Sequence, residues 1–335
     1  MPLTFKEVTD KIFLEYPKDV LQGILPNQEV NGLSSGNDCL DDFELNSKNK
    51  YYECSDYFLN PKEKQFIHFT SLDKTKEIIS NNKLRLYDLN YADDPHEIVF
   101  TIENSGIDLC KYDSLKSNNY YNLKSKLFSI SFCEFPLNDD NEHNMWRLYG
   151  NDGKGIGLVF SFHNDCTKWD YYNLSKIYYD KSNKISVAFS KHKIFFQNLS
   201  SATEYNNRID ETNLVYNILQ LFAFHKHSIY SNENEFRLLH RLNRYSSQRK
   251  VFTINKRNRL SSYIELNLYS NKKEGSDLDN SKETLPLIKL DKLILGFRYS
   301  HKEKEEIEKV IHEVYALNDD NYSYGSLYPK VEITS

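Results

Sequence analysis

Apolar side chains recur along the chain with two periods, and the changes between them mark out short strands and a few helices. The compact run Gln65-Phe66-Ile67-His68-Phe69-Thr70 predicts a strand. Ser71 follows as an N-cap, and Leu72, Thr75, Lys76 and Ile79 fall at helical spacing until Asn81-Asn82. Leu84 to Tyr87 reads as the next strand. Leu127 to Glu134 alternates apolar and small polar residues, the period of a half-buried strand. Further strands are expected over Gly155–Phe162, Glu235–His240, Lys250–Asn255 and Leu290–Phe297. The best helical stripe is Leu214, Val215, Ile218, Leu221, Phe222 and His225, within a helix expected over Glu211–His227. A second covers Lys302–Tyr315, with Ile307, Val310, Ile311 and Val314 on one face. Phe5–Leu14 reads as a short helix, and Met145–Gly150 as a helical turn closed by glycine. Asn27–Asp42, Asn90–Glu97, Asn138–Asn141 and Asn271–Glu283 are polar and turn-rich, and are expected to be loops.

These elements interleave without the regular strand–helix rhythm of a doubly wound sheet. An α+β fold with mixed or antiparallel sheets and flanking helices is therefore expected. Residues 1–60 read as a partly helical N-terminal extension, and residues 61–335 as the main α+β domain. No internal repeat is evident.

Composition narrows the function classes. Of 335 residues, 39% are hydrophobic and 14% aromatic, enough to build a core. The net charge of −5 argues against a globally basic nucleic-acid binder. No run approaches the roughly 18 apolar residues a spanning helix needs, so no membrane partner is expected. Met1–Glu15 carries Glu7, Asp10 and Glu15, unlike a secretory leader. The five cysteines are odd in number and form no CxxC pair, which fits reduced thiols in a cytoplasm and gives no zinc or other metal site.

Phosphate-binding loops, HExxH, GxSxG and kinase signatures are all absent. Gly153-Lys-Gly155-Ile-Gly157 has the wrong spacing for a dinucleotide fingerprint and reads first as a turn or a point of close backbone approach. His225 and His227 would diverge on a helix, so a shared metal is not expected there. Lys226 precedes Glu233-Asn-Glu235-Phe-Arg237. On a strand these two glutamates and Arg237 share one face. Paired carboxylates repel unless a cation is close, and Arg237 is placed to supply one. Asp94 and Glu97 form an acidic turn. His68 lies in an apolar strand. Trp146 and Tyr149, three apart on a helical turn, suit either a core or the wall of an aromatic slot.

Several short motifs, in order from about residue 65 to 315, resemble a bacterial family known as domain of unknown function 2971. They are His68-Phe69-Thr70-Ser71, the Asp94-Pro95-His96-Glu97 loop, Ser129-Ile130-Ser131-Phe132-Cys133-Glu134, Met145-Trp146-Arg147-Leu148-Tyr149-Gly150, and Lys226 with Glu233-x-Glu235-x-Arg237. The strand histidine, the serine-rich strand and the Glu-x-Glu strand also resemble the three motifs of ADP-ribosyltransferase folds. That resemblance implies split sheets binding NAD in the cleft between them, as a substrate. It implies that His68 binds a ribose hydroxyl, that Tyr87 or Tyr149 stacks on nicotinamide, and that Glu235 and Glu233 are the catalytic pair. Thr70, Ser131, Trp146 and Arg237 would complete the NAD site, with Asp94, Glu97, Arg147 and Lys226 as further candidates. The implied activity is ADP-ribose transfer to a protein or nucleic acid, or NAD hydrolysis, in a toxin or antiphage effector. Two alternatives stay open: a metal-dependent nuclease or phosphodiesterase using Asp94, Glu97, Glu233, Glu235 and Lys226, and a non-catalytic nucleotide-binding regulatory module.

Overall fold

Capping residues set where the helices begin. Thr4 and Glu7 form a reciprocal capping box, in which the Thr4 N–H donates to Glu7 Oε2 at 2.7 Å and the Glu7 N–H donates to Thr4 Oγ1 at 3.4 Å. Ser71 caps the next helix by accepting from the Lys74 N–H at 3.3 Å, and Asn82 closes it with φ at 50°. Ser300 and Glu303 repeat the box at the last helix.

The structure is a computed structural model. It describes residues 2–21, 30–36, 39–45, 57, 59–90, 98, 101, 124–137, 139–169, 171–179, 183–202, 220–242, 248–254, 260–268, 284–317 and 330–333. Chain order is α1 (Phe5–Tyr16), β1 (Val30–Gly36), β2 (Cys39–Leu45), β3 (Gln65–Thr70), α2 (Leu72–Asn81), β4 (Lys83–Asp88), β5 (Leu127–Phe135), α3 (Asp139–Leu148), β6 (Ile156–Phe162), β7 (Tyr172–Lys176), α4 (Asn183–Ser201), β8 (Glu235–Arg241), β9 (Val251–Ile254), β10 (Leu260–Asn267), β11 (Ile288–Leu295), α5 (His301–Leu317) and β12 (Lys330–Ile333).

The fold is mixed α+β. A ten-stranded sheet runs β12-β11-β6-β3-β5-β4-β10-β9, with β8 on the other side of β5 and β7 beyond it. Its strand pairs are antiparallel except β11 with β12. Strand β5 is the junction. One edge pairs with β8 from Leu127 to Cys133 without a break. The opposite edge is divided: Cys133 to Phe135 pair with β3, whereas Phe128 and Ser129 pair with β4. The sheet therefore parts opposite Ile130–Phe132. The expectation of separate sheets is corrected accordingly, because β5 joins the two arms into one.

Alternation along the strands divides the core between two faces. Phe66, Phe132, Leu158, Phe160, Leu293 and Leu295 belong to the larger core, to which α2 adds Ile79 and α5 adds Ile307 and Ile311. Their neighbours Ile67, Cys133, Val159 and Ile294 belong to a smaller core with Met145 and Trp146 of α3. Gly157 permits that second packing: a Cβ there would stand 2.5 Å from Ile67 Cδ1. At Gly155 a Cβ would meet backbone, the Gly150 carbonyl carbon at 2.8 Å and Thr70 O at 2.9 Å. Tyr16 of α1 packs edge-on to Phe195 of α4 and contacts His192 Nδ1 through its hydroxyl at 3.0 Å.

Three expectations are corrected. Most of Asn27–Asp42 lies in the β1–β2 hairpin, not a loop. The acidic segment Asn138–Asn141 is mostly the first turn of α3, not a loop. The expected helix Glu211–His227 ends differently: residues 211–219 lie outside the described residues, and Gln220–Phe224 is a 3-10 turn. Here the Tyr178 N–H donates to Phe224 O at 2.8 Å and the Lys226 N–H to Tyr178 O at 3.0 Å, so tertiary bridging replaces helical bonding. The segments holding Asn90–Glu97 and Asn271–Glu283 are largely outside the described residues.

Candidate functional site

The divided edge of β5 leaves one backbone carbonyl to be satisfied locally. Ser131 O, at the parting of the sheet, accepts a hydrogen bond from His68 Nδ1 at 2.9 Å. A carbonyl only accepts, so Nδ1 carries the hydrogen and Nε2 presents a lone pair. Burial lowers the His68 pKa, and its bond to Ser131 only partly offsets this, so the neutral ring is favoured.

Strand β8 lies along the other edge of β5 and places Arg237 opposite Ser131 and Glu235 opposite Cys133. The Ser131 hydroxyl donates to Glu235 Oε1 at 2.5 Å. Arg237 donates to the same oxygen through Nε at 3.0 Å and Nη2 at 2.8 Å, while its Nη1 is held by Ala223 O at 2.6 Å. Lys226 Nζ faces both carboxylates, 2.9 Å from Glu233 Oε2 and 2.5 Å from Glu235 Oε2. Tyr149 donates its hydroxyl to Glu233 Oε1. Glu233 is not on the strand, as the spacing suggested. It ends a 3-10 turn, and Asn234, at φ 43°, reverses the chain so that both carboxylates still meet Lys226. Tyr179 accepts the Glu235 N–H at 2.8 Å.

The electrostatics follow from these contacts. Burial would raise the Glu235 pKa, but the Arg237 guanidinium and the Lys226 ammonium more than offset it and hold the carboxyl down at about 2. Desolvation and the hydrogen bond to Glu233 push the Tyr149 phenol up, keeping it a donor. Burial, with both glutamates nearby, pushes the Cys133 thiol up to about 12, so it is not a thiolate nucleophile.

His68, Ser131, Tyr149, Lys226, Glu233 and Glu235 line one cleft of about 110 Å³, whose apolar wall includes Ile67, Phe69 and Met145. That is below the roughly 300–1,000 Å³ of small-molecule sites, so the cleft encloses only a small part of a ligand. Other candidates fall elsewhere. Arg237 lies beneath the cleft, 2% exposed, as the clamp on Glu235 and not as a ligand contact. Trp146 is 1% exposed, edge-on to Phe69, and belongs to the smaller core. Tyr87 packs on Tyr263 at 5.7 Å along β4. Thr70 pairs with Ile156 at the far end of β3. Arg147 is exposed on α3 and does not line the cleft. Asp94 and Glu97 lie outside the described residues. Tyr179 and the apolar wall were not singled out in the sequence, where no spacing links them to the acidic motif. Among the described residues, no three His, Cys, Asp or Glu side chains converge in a metal-binding group. Nor does any helix among them have the length and apolarity to cross a membrane.

Residues 145–238 match the model of a family described as protein of unknown function (DUF2971). The match takes in Tyr149, Lys226, Glu233, Glu235 and Arg237, but not His68 or Ser131, and is shorter than the span over which the motifs resemble that family. No curated protein and no solved structure matches the chain.

Proposed function

We propose that this cleft cleaves the N-glycosidic bond between nicotinamide and ribose in NAD, passing ADP-ribose to a nucleophile or to water. The observation that carries this proposal is the hydrogen-bonded line His68–Ser131–Glu235, drawn from three strands into one cleft. An ADP-ribosyltransferase-like arrangement of two sheet arms goes with it, supported by the divided edge of β5.

In this proposal His68 Nε2 accepts from a ribose hydroxyl, because Nδ1–H is committed to Ser131. Phe69 and Tyr149 offer the aromatic surface for the nicotinamide ring. The C1′–N bond breaks, and its electron pair passes to the ring nitrogen, so nicotinamide leaves neutral. Positive charge develops on the ribose as this happens. Glu235, kept ionised by Arg237 and Lys226, lies on that side and accepts from the 2′-hydroxyl. An acceptor oxygen then forms the new bond to C1′ and gives its proton to Glu233. With water as the acceptor the product is free ADP-ribose.

The test is to incubate the full chain with NAD labelled in its adenosine half, measuring free nicotinamide and whether the label ends free or attached to a macromolecule. We expect saturable nicotinamide release. We also expect His68→Ala to raise KM by about fivefold to tenfold, the scale of one lost hydrogen bond. A folded protein that binds NAD and releases no nicotinamide would overturn the proposal.

A further inference from the structure

A second cleft, of about 230 Å³, shares with the first a wall of Cys133, Met145 and Glu233. A group transfer requires two partners to meet at one base, and two clefts that share a carboxylate provide that arrangement. Glu233 is 9% exposed, and its oxygens are engaged by Tyr149 and Lys226 of the first cleft. Each carboxylate oxygen keeps a second lone pair with which to take a proton.

The charges of the second cleft state what it would hold. Glu134 on its wall is already paired with Lys64 at 2.5 Å. Glu233 is paired with Lys226 at 2.9 Å. Lys176, at the end of β7 opposite Phe236, also lines the cleft, and no carboxylate among the described residues is paired with it. Among the described residues, Lys176 is thus the one charged side chain of the lining without an ion-pair partner, and Phe236 adds an apolar surface beside it.

Resting on the proposed NAD chemistry of the first cleft, we infer that the second cleft is the acceptor site and takes an anionic alcohol. Its nucleophilic hydroxyl stands beside a phosphate or carboxylate that Lys176 binds. The hydroxyl oxygen bonds to ribose C1′ as the C1′–N bond breaks, the hydroxyl proton passes to Glu233, and nicotinamide leaves with the electron pair.

The test measures partition. The full chain is given NAD with one of four small alcohols at equal concentration: glycerol 3-phosphate, glycerate, glycerol and 3-amino-1,2-propanediol. The readout is the ratio of ADP-ribosylated alcohol to free ADP-ribose. We expect the two anionic alcohols to exceed glycerol by about tenfold, the scale of a charge-assisted contact, and the amine to rank last. Whichever of phosphate and carboxylate ranks first names the source of the charge. Lys176→Met should remove the preference, and Lys176→Glu should reverse it. Equal ratios for all four alcohols, a preference for the amine, or a preference unmoved by both variants would overturn the inference alone. Absence of nicotinamide release would overturn it together with the proposed NAD chemistry.

Discussion

At the scale of single residues, the site is an ion-pair network around Glu235, and Arg237 is its most informative member. Removing one partner of a buried pair costs about 3–5 kcal/mol, so we expect Arg237→Met to lower the denaturation midpoint. It should also change the response to pH. Glu235 has a folded-state pKa depressed to about 2, so its stabilising contribution is present above the ordinary carboxylate range and is lost as pH falls toward 2. Without Arg237 that carboxyl rises toward its unfolded value, so the acid-dependent part of the stability should shrink and be spent at a higher pH, and the acid limb of nicotinamide release should move to higher pH. A clamp with no catalytic role would lower stability and leave the acid limb of turnover where it was. The acidic pair and its arginine were legible in the sequence because they fall within five residues. Tyr179 was not, since its contact is with a backbone N–H that no side-chain spacing reveals. Nor was the division of labour between Trp146 and Tyr149. Trp146 lies on α3 and turns into the core over Gly157, while Tyr149, in the turn just after α3, reaches Glu233.

At the scale of elements, strands with apolar alternation were readable, and their register then decides which residues meet. Gly155 tests that register. A methyl group there meets backbone at 2.8 and 2.9 Å, and backbone yields less readily than the end of a flexible side chain. We expect Gly155→Ala to destabilise the fold by about 1–3 kcal/mol, the cost of overpacking, as measured by chemical denaturation. Destabilisation below about 0.5 kcal/mol would show that the crossing of β3 and the Gly150 turn is looser than described. The same physics accounts for the elements misread. The segment around β1 and β2 is rich in Asn, Gly, Ser and Asp, residues that weaken any strand signal although the backbone pairs there. The stretch ending at His225 has helical periodicity, but bonds between Tyr178 and the Phe224–Lys226 backbone override it.

At the scale of the whole molecule, mixed α+β class followed from the irregular order of strands and helices. The branching of the ten-stranded sheet did not, because the contacts joining β5 to β3, β4 and β8 are remote in sequence. Two buried histidines couple this fold to pH. Burial lowers the His225 pKa to about 4, where the ring stacks on Tyr178 and meets the Tyr57 hydroxyl at 2.9 Å. Burial likewise lowers His240 to about 3, beside Tyr172. Both have folded-state values below the ordinary 6.5, so the unfolded chain binds more protons over this interval. We therefore expect Tm to fall as pH is lowered from about 6.5 toward 4, and His240→Phe to flatten that descent. A Tm unchanged across the interval would show that these rings are not buried neutral. The central claim concerns charge in the cleft, and the most direct test is the kcat for nicotinamide release by the native chain and by Glu235→Gln. The substitution keeps shape and removes the charge that, on the proposed chemistry, faces the developing cation. We expect kcat to fall about 10²–10³-fold, with KM for NAD nearly unchanged because the contact strengthens mainly in the transition state. Full turnover by a folded Glu235→Gln protein would contradict the assignment.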